Sequence, residues 1–110
     1  MLAYLTTVAC DGMIDNMEAN LVLKRKLTFE NGSILEMVIW KVPSPIAGSL
    51  HNYKYRLFFG VDGIRLVGFD NERGKGDHVH FKGSERPYQF STVKKLVEDF
   101  YAEIERSTLK

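Results

Sequence analysis

The chain has 110 residues, a formal net charge of +1, one cysteine and 45% hydrophobic residues. These figures describe one folded domain, and they exclude a disordered chain, a disulfide framework and a structural zinc site with four sulfur ligands. The first ten residues are apolar, but they lack a basic start and are too short to span a bilayer, so we expect neither a signal peptide nor a membrane anchor. A reducing cytoplasm is the simplest compartment for such a chain.

Residues 1–16 show no sustained periodicity, and the pattern becomes regular only after the internal methionines Met13 and Met17. We expect a dispensable N-terminal extension here, with a short edge strand as the alternative. A single domain then covers residues 17–110.

The first regular elements form a predicted β-hairpin. Residues 20–30 alternate between apolar and polar side chains, and Asn31-Gly32 follows, a pair that tolerates the positive φ angles of a tight hairpin turn. Residues 33–42 are apolar at both parities, which predicts a central strand covered on both faces.

Three more strands are predicted downstream. Prolines end the second strand, and an Asp62-Gly63 turn separates the next two. The polar, glycine-rich segment 70–76 predicts a mobile connection, and a turn is expected over 83–87. The three strands cover residues 53–59, 64–69 and 77–82.

The last predicted element is an amphipathic helix. Val93, Leu96, Phe100 and Ile104 follow helical spacing, and Ser91 or Thr92 can cap the start of the helix. Its apolar stripe needs a sheet face to cover. We therefore predict an α+β fold, with a five-stranded, mainly antiparallel sheet packed against one C-terminal helix.

The segment from Phe69 to Phe81 contains most of the side chains that are candidates for catalysis. In an extended strand, His78 and His80 project from one face about 7 Å apart, while Asp77 points the other way. Two imidazoles then face one substrate.

This arrangement suits phosphodiester cleavage in RNA. One histidine removes the proton of a ribose 2′-hydroxyl, and the other protonates the departing 5′-oxygen. Nearby cations can stabilise the charge that builds on the phosphoryl oxygens, and the candidates are Arg73, Lys75, Lys54 and Arg56.

Two other interpretations of the histidines stay open. They can be exposed residues on an edge strand without a function. They can also hold a metal ion together with Asp70, Glu72 or Asp77, although Asp77 should face away from them. We predict no metal and no cofactor.

The segment Tyr53-Lys54-Tyr55-Arg56 interleaves aromatic and cationic residues, as single-stranded nucleic-acid binders do. Its alternation also predicts that the tyrosines belong to the core. Lys and Arg outnumber Asp and Glu in residues 17–90, which is compatible with an RNA partner.

These motifs resemble those of the TumE family of toxins from toxin–antitoxin pairs. The resemblance covers about residues 20–106, and the motifs that carry it lie in residues 36–43, 53–57 and 66–80. It implies a growth-inhibiting toxin with a helix-turn-helix antitoxin as its partner. It also places the family's polar block in the candidate site, with Asp70, Asn71, Glu72, Arg73, Lys75, Asp77, His78 and His80.

The sequence thus predicts a cytoplasmic, RNA-directed toxin, most simply a metal-independent endoribonuclease. The predicted catalytic residues are His78, His80, Lys75, Arg73 and Asp77, and the predicted substrate-binding residues are Lys54, Arg56, Asp70, Asn71 and Glu72. The alternatives are a non-catalytic protein-interaction module and an enzyme that modifies a nucleotide or RNA without cutting it. We expect the antitoxin to contact Arg73 and Lys75. A homodimer is a further possibility, and we expect no membrane partner.

Overall fold

The computed structural model describes residues 18–108, so the predictions for residues 1–16 lie outside the described residues. A six-stranded antiparallel sheet forms in simple chain order, and one helix follows it. The elements are β1 (Asn20–Thr28), β2 (Ser33–Lys41), β3 (Tyr53–Val61), β4 (Ile64–Glu72), β5 (Gly76–Phe81), β6 (Ser84–Pro87) and α1 (Val93–Ser107). The predicted α+β class is confirmed, with six strands instead of five.

Both predicted hairpin turns are present, but at the first one Gly32 has a positive φ and Asn31 does not. Gly32 has a φ of 89°, and at the second turn Asp62 and Gly63 have φ values of 54° and 77°. Glycine and Asp adopt this left-handed region at a lower cost than most residues, so the sequence determines where these hairpins reverse.

One face of the sheet and α1 enclose the hydrophobic core. Leu96 and Phe100 of α1 are fully buried, and the Phe100 ring meets Phe69 of β4 edge to face at a centroid distance of 5.9 Å. Burying a side chain of this size contributes about 1.5–3 kcal/mol. The sheet residues of this core are Leu35, Met37, Ile39, Tyr55, Leu57, Phe59, Val67, Phe69 and Val79. We call this side of the sheet the α1 face and the opposite side the open face.

Strand β2 is interior, as predicted, but it is covered fully on only one face. Its α1-face residues, such as Met37 and Ile39, are buried, whereas Val38 and Trp40 on the open face are half-buried. The reason is that the described residues contain one helix, which covers one face of the sheet.

The predicted turn at 83–87 is wrong, because Ser84–Pro87 pairs with β5 as the edge strand β6. Its exposed polar residues and terminal proline hide the strand signal, although both are usual on sheet edges. The segment 70–76 is also more ordered than expected, since Asp70 and Glu72 extend β4 and Gly76 begins β5.

Helix α1 begins after Thr92, whose side chain accepts a hydrogen bond of 3.0 Å from the Lys95 amide. Thr92 is thus the cap among the two predicted candidates. Within residues 18–108, no helix has the length and hydropathy that a membrane span requires.

Candidate active site

The pleat of β5 sends His78 and His80 to the open face and Asp77 to the α1 face, as the alternation predicts. Asp70 of β4 pairs with His78, so its side chain joins the histidines. Strand β5 lies between β4 and β6, and the expectation of an edge strand with exposed histidines is therefore wrong.

Both nitrogens of His78 face oxygen atoms. Its Nδ1 lies 3.0 Å from the Gly76 carbonyl oxygen, which can only accept a hydrogen bond. Its Nε2 lies 2.6 Å from Asp70 Oδ1 and 3.4 Å from Glu85 Oε2. Nδ1 therefore carries a proton, and Nε2 faces the Asp70 carboxylate.

His80 is held differently. Its Nδ1 lies 3.0 Å from an Arg65 guanidinium nitrogen, which can only donate, so Nδ1 accepts and the neutral ring carries its proton on Nε2. Burial is the main cause that lowers the pKa of His80, and the Arg65 charge lowers this pKa further. The charges of Asp70 and Glu85 oppose the shift. Burial and the Arg65 contact thus both favour the neutral form of His80.

The two rings meet almost at right angles, at 79°, with centroids 4.8 Å apart. This is closer than the predicted separation of about 7 Å between extended side chains. His78 and His80 expose only 6% and 14% of their side chains. Strand β6 pairs with β5 on the side away from β4, and its Glu85 lies against His78.

Asp70, His78 and His80 also present three donor atoms within 4.8 Å of one another, a distance compatible with a metal ion. Asp70 Oδ1 is buried and lacks an aligned hydrogen-bond donor among the described residues, despite its short contact with His78. His80 can bind a metal through Nε2 only if its proton moves to Nδ1, and in the observed arrangement the Arg65 guanidinium occupies Nδ1. The observed position of Arg65 therefore disfavours a metal ion at this nitrogen.

The open face beside the histidines combines aromatic rings and cations. Trp40 pairs with Lys54 across β2 and β3, and the Arg56 guanidinium lies 5.8 Å from the centre of the Phe58 ring. Burial lowers the pKa of Lys54, against the opposing effects of Asp70 and Glu72. Tyr55 belongs to the core, as the alternation predicts, while Lys54 and Arg56 project from the open face, where the Lys54 ammonium donates to the Asn71 carbonyl at 3.0 Å.

The structure separates the remaining predicted site residues. Asn71 is fully buried on the α1 face, where its side chain accepts from the Tyr55 amide at 3.0 Å and donates to the Tyr53 carbonyl at 2.7 Å. Glu72 is exposed and forms a 3.5 Å ion pair with Lys75, while Arg73 lies exposed in the connecting turn.

Asp77 lies on the α1 face, where it accepts three hydrogen bonds of 2.6 Å. The donors are the Ser49 hydroxyl, the Tyr55 hydroxyl and His51 Nε2, and we call these four residues the Asp77 cluster. The His51 ring also stacks on Phe90 at 3.9 Å between centroids. The structure thus does not bring Asp77 to the histidine pair.

Sequence reasoning missed three contributors to these clusters. Arg65 sits beside a register shift at Phe59/Gly60, where simple alternation fails. Glu85 belongs to the strand that was predicted as a turn. His51 reaches Asp77 across 26 residues of sequence, and no local pattern signals a contact of this kind.

An antiparallel sheet with a helix on one face and an imidazole and carboxylate cluster on the other defines a small α+β protein with one open face. A family model described as Toxin TumE matches residues 10–108, and the chain therefore belongs to the TumE toxin family. It is a toxin of a toxin–antitoxin system, which implies an antitoxin partner. The match begins nearer the N-terminus than the predicted start at about residue 20. Searches of curated proteins and of solved structures returned no match.

Proposed function

We propose that this toxin acts on RNA as a metal-independent endoribonuclease, with His80 as the general base and His78 as the general acid. The observation that supports this proposal is the asymmetry of the pair. Hydrogen bonding keeps His80 neutral, while His78 faces acceptors at both ring nitrogens. This cleavage requires a neutral base and a protonated acid at the same pH, and different surroundings of two histidines can provide both.

The reaction transfers two protons. The ribose 2′-oxygen attacks the adjacent phosphorus while His80 takes the hydroxyl proton, and the bond from phosphorus to the 5′-oxygen breaks while His78 donates its Nε2 proton to that oxygen. The products are a 2′,3′-cyclic phosphate and a 5′-hydroxyl. Asp70 stabilises the positive charge of His78 before the transfer.

Arg65 has two roles in the proposed reaction. It is exposed, so its guanidinium can move from His80 Nδ1 to a non-bridging oxygen of the phosphate. This movement frees the Nδ1 lone pair to accept the 2′-hydroxyl proton. The same guanidinium then stabilises the charge that develops on the phosphoryl oxygens.

The open face supplies the contacts for binding a single strand. Trp40 and Phe58 offer ring surfaces for stacking of bases, and Lys54 and Arg56 can pair with phosphates. Arg73 lies within electrostatic reach of Lys54 and can extend this surface.

An induction experiment tests the proposal in cells. Expression of the toxin alone should slow growth and fragment total RNA, and His80→Gln should prevent both while the variant still accumulates as folded protein. Arg86→Gln is the matched control, since Arg86 lies on the neighbouring strand with its register partner Val79 on the α1 face, and its 3.7 Å ion pair with Glu103 is at the surface. Intact RNA during growth arrest would instead favour a protein-interaction module or a modifying enzyme.

A further inference from the structure

The loop of residues 42–52, between β2 and β3, is fixed against the β4–β5 hairpin. The Gly74 amide donates to the Ala47 carbonyl at 2.7 Å, and a Cβ atom on Gly48 would lie 2.8 Å from the Gly76 nitrogen. Such a close approach of two backbones requires glycine at both positions. Loop and hairpin therefore form one unit, which is anchored to Asp77 on the α1 face.

Leu50 protrudes from this fixed loop. It is 99% exposed, although its neighbours Ser49 and His51 are both bonded to Asp77. Anchored neighbours hold this apolar side chain in water, so a partner that covers it lowers the free energy of the system. Little ordering entropy opposes the binding, because the loop is already fixed.

A groove of about 590 Å³ lies beside Leu50, and we call it the Leu50 groove. Pro87, Tyr88, Gln89 and Phe90 also line it. Lys75 is the exposed charge of the lining, since Asp77 exposes only 8% of its side chain and already accepts three hydrogen bonds. The groove therefore favours an apolar side chain next to a carboxylate.

We propose that the Leu50 groove is the docking site of the antitoxin, which inserts a segment carrying an apolar side chain and a carboxylate. Leu50 and Phe90 contact the apolar side chain, and Lys75 pairs with the carboxylate. This assignment also separates the two cations that sequence reasoning grouped, because Lys75 lines the groove while Arg73 does not.

Binding of the purified antitoxin to purified toxin variants tests the proposal by calorimetry. Leu50→Ser should weaken the affinity about tenfold or more, as loss of one well-buried leucine contact does. Ile64→Ser is the matched control, because Ile64 is also an exposed aliphatic residue, at 64%, but lies at the β3–β4 turn. It should leave the affinity unchanged.

A kinetic measurement tests the charge. Lys75→Glu should slow association at low salt and flatten its salt dependence, and Arg73→Glu should do so less, since charges at an interface mainly set the association rate. Equal affinities for wild type and Leu50→Ser would overturn the proposal. A dimer of the toxin alone that Leu50→Ser dissociates would also overturn it, because a second copy would then be the occupant.

This proposal and the ribonuclease proposal fail separately. Leu50→Ser should cleave RNA at the wild-type rate, because Leu50 belongs to the loop anchored to Asp77 on the α1 face, whereas the histidine side chains lie on the open face. A wild-type protein without RNA cleavage would refute the enzymatic role and leave the antitoxin measurements unaffected.

Discussion

Replacing Asp77 with alanine tests whether this carboxylate supports the fold or takes part in catalysis. The substitution removes the acceptor of three hydrogen bonds of 2.6 Å, from Ser49, His51 and Tyr55. Burial and the Asp77 hydrogen bond raise the pKa of Tyr55, so its hydroxyl stays protonated and needs an acceptor.

The expected loss of stability follows from these three donors. A buried donor without a partner costs about 1–3 kcal/mol, and Tyr55 and Ser49 are almost fully buried. His51 is somewhat more exposed, with 14% of its side chain accessible, and therefore regains some hydration. The free energy of unfolding should fall by about 4 kcal/mol, which lowers the Tm of a domain of this size by about 15 °C or more.

Thermal melting and urea titration measure this change, and RNA cleavage by the same sample at low temperature measures catalysis. Glu72→Ala is the control, because the exposed Glu72 has a weak 3.5 Å ion pair and its loss should change stability by less than about 0.5 kcal/mol. Asp77→Asn, a milder change, provides a second variant if the alanine protein does not fold. A folded, thermally stable Asp77 variant that no longer cleaves RNA would refute the structural assignment.

Three further changes have defined outcomes. Arg65→Met should raise the pKa of His80 toward its ordinary value of 6.5 and move the acidic limb of the pH–rate profile to higher pH, and an unmoved limb would contradict the role of Arg65. Asn71→Ala should cost about 3 kcal/mol in urea titration, since the Tyr55 amide loses its acceptor, and a loss near zero would count against this network. Burial raises the pKa of Asp99, but hydrogen bonds from its lysine and tyrosine partners outweigh that effect and lower it below 3.8. Its charge therefore stabilises the fold at neutral pH and ceases to do so as the pH falls through the lowered pKa, so Asp99→Asn should flatten the acid limb of the stability curve, and an unchanged limb would argue against it.

Much of the fold was predictable because its signals are local. The first hairpin turn requires a positive φ at Gly32, which glycine permits, and the apolar spacing of Leu96 and Phe100 marks the buried side of α1. Strand β6 escaped prediction since its four residues are all exposed, and no periodicity can appear in so short a polar segment.

The candidate site was only partly predictable. Alternation places His78 and His80 together and Asp77 opposite, which requires nothing beyond the geometry of a strand. The partners Arg65 and Glu85 come from other strands, and their approach depends on the register between strands and on a local irregularity. Single-sequence patterns do not encode these features.

The ribonuclease proposal is tested most directly by cleavage of single-stranded RNA by the purified toxin in excess chelator, with analysis of the product ends. We expect cleavage with 2′,3′-cyclic phosphate and 5′-hydroxyl ends, and a loss of about 100-fold or more in His80→Gln, as removal of a general base produces. Cleavage that disappears with chelator and returns with one divalent metal would contradict it and assign Asp70, His78 and His80 to a metal-dependent reaction.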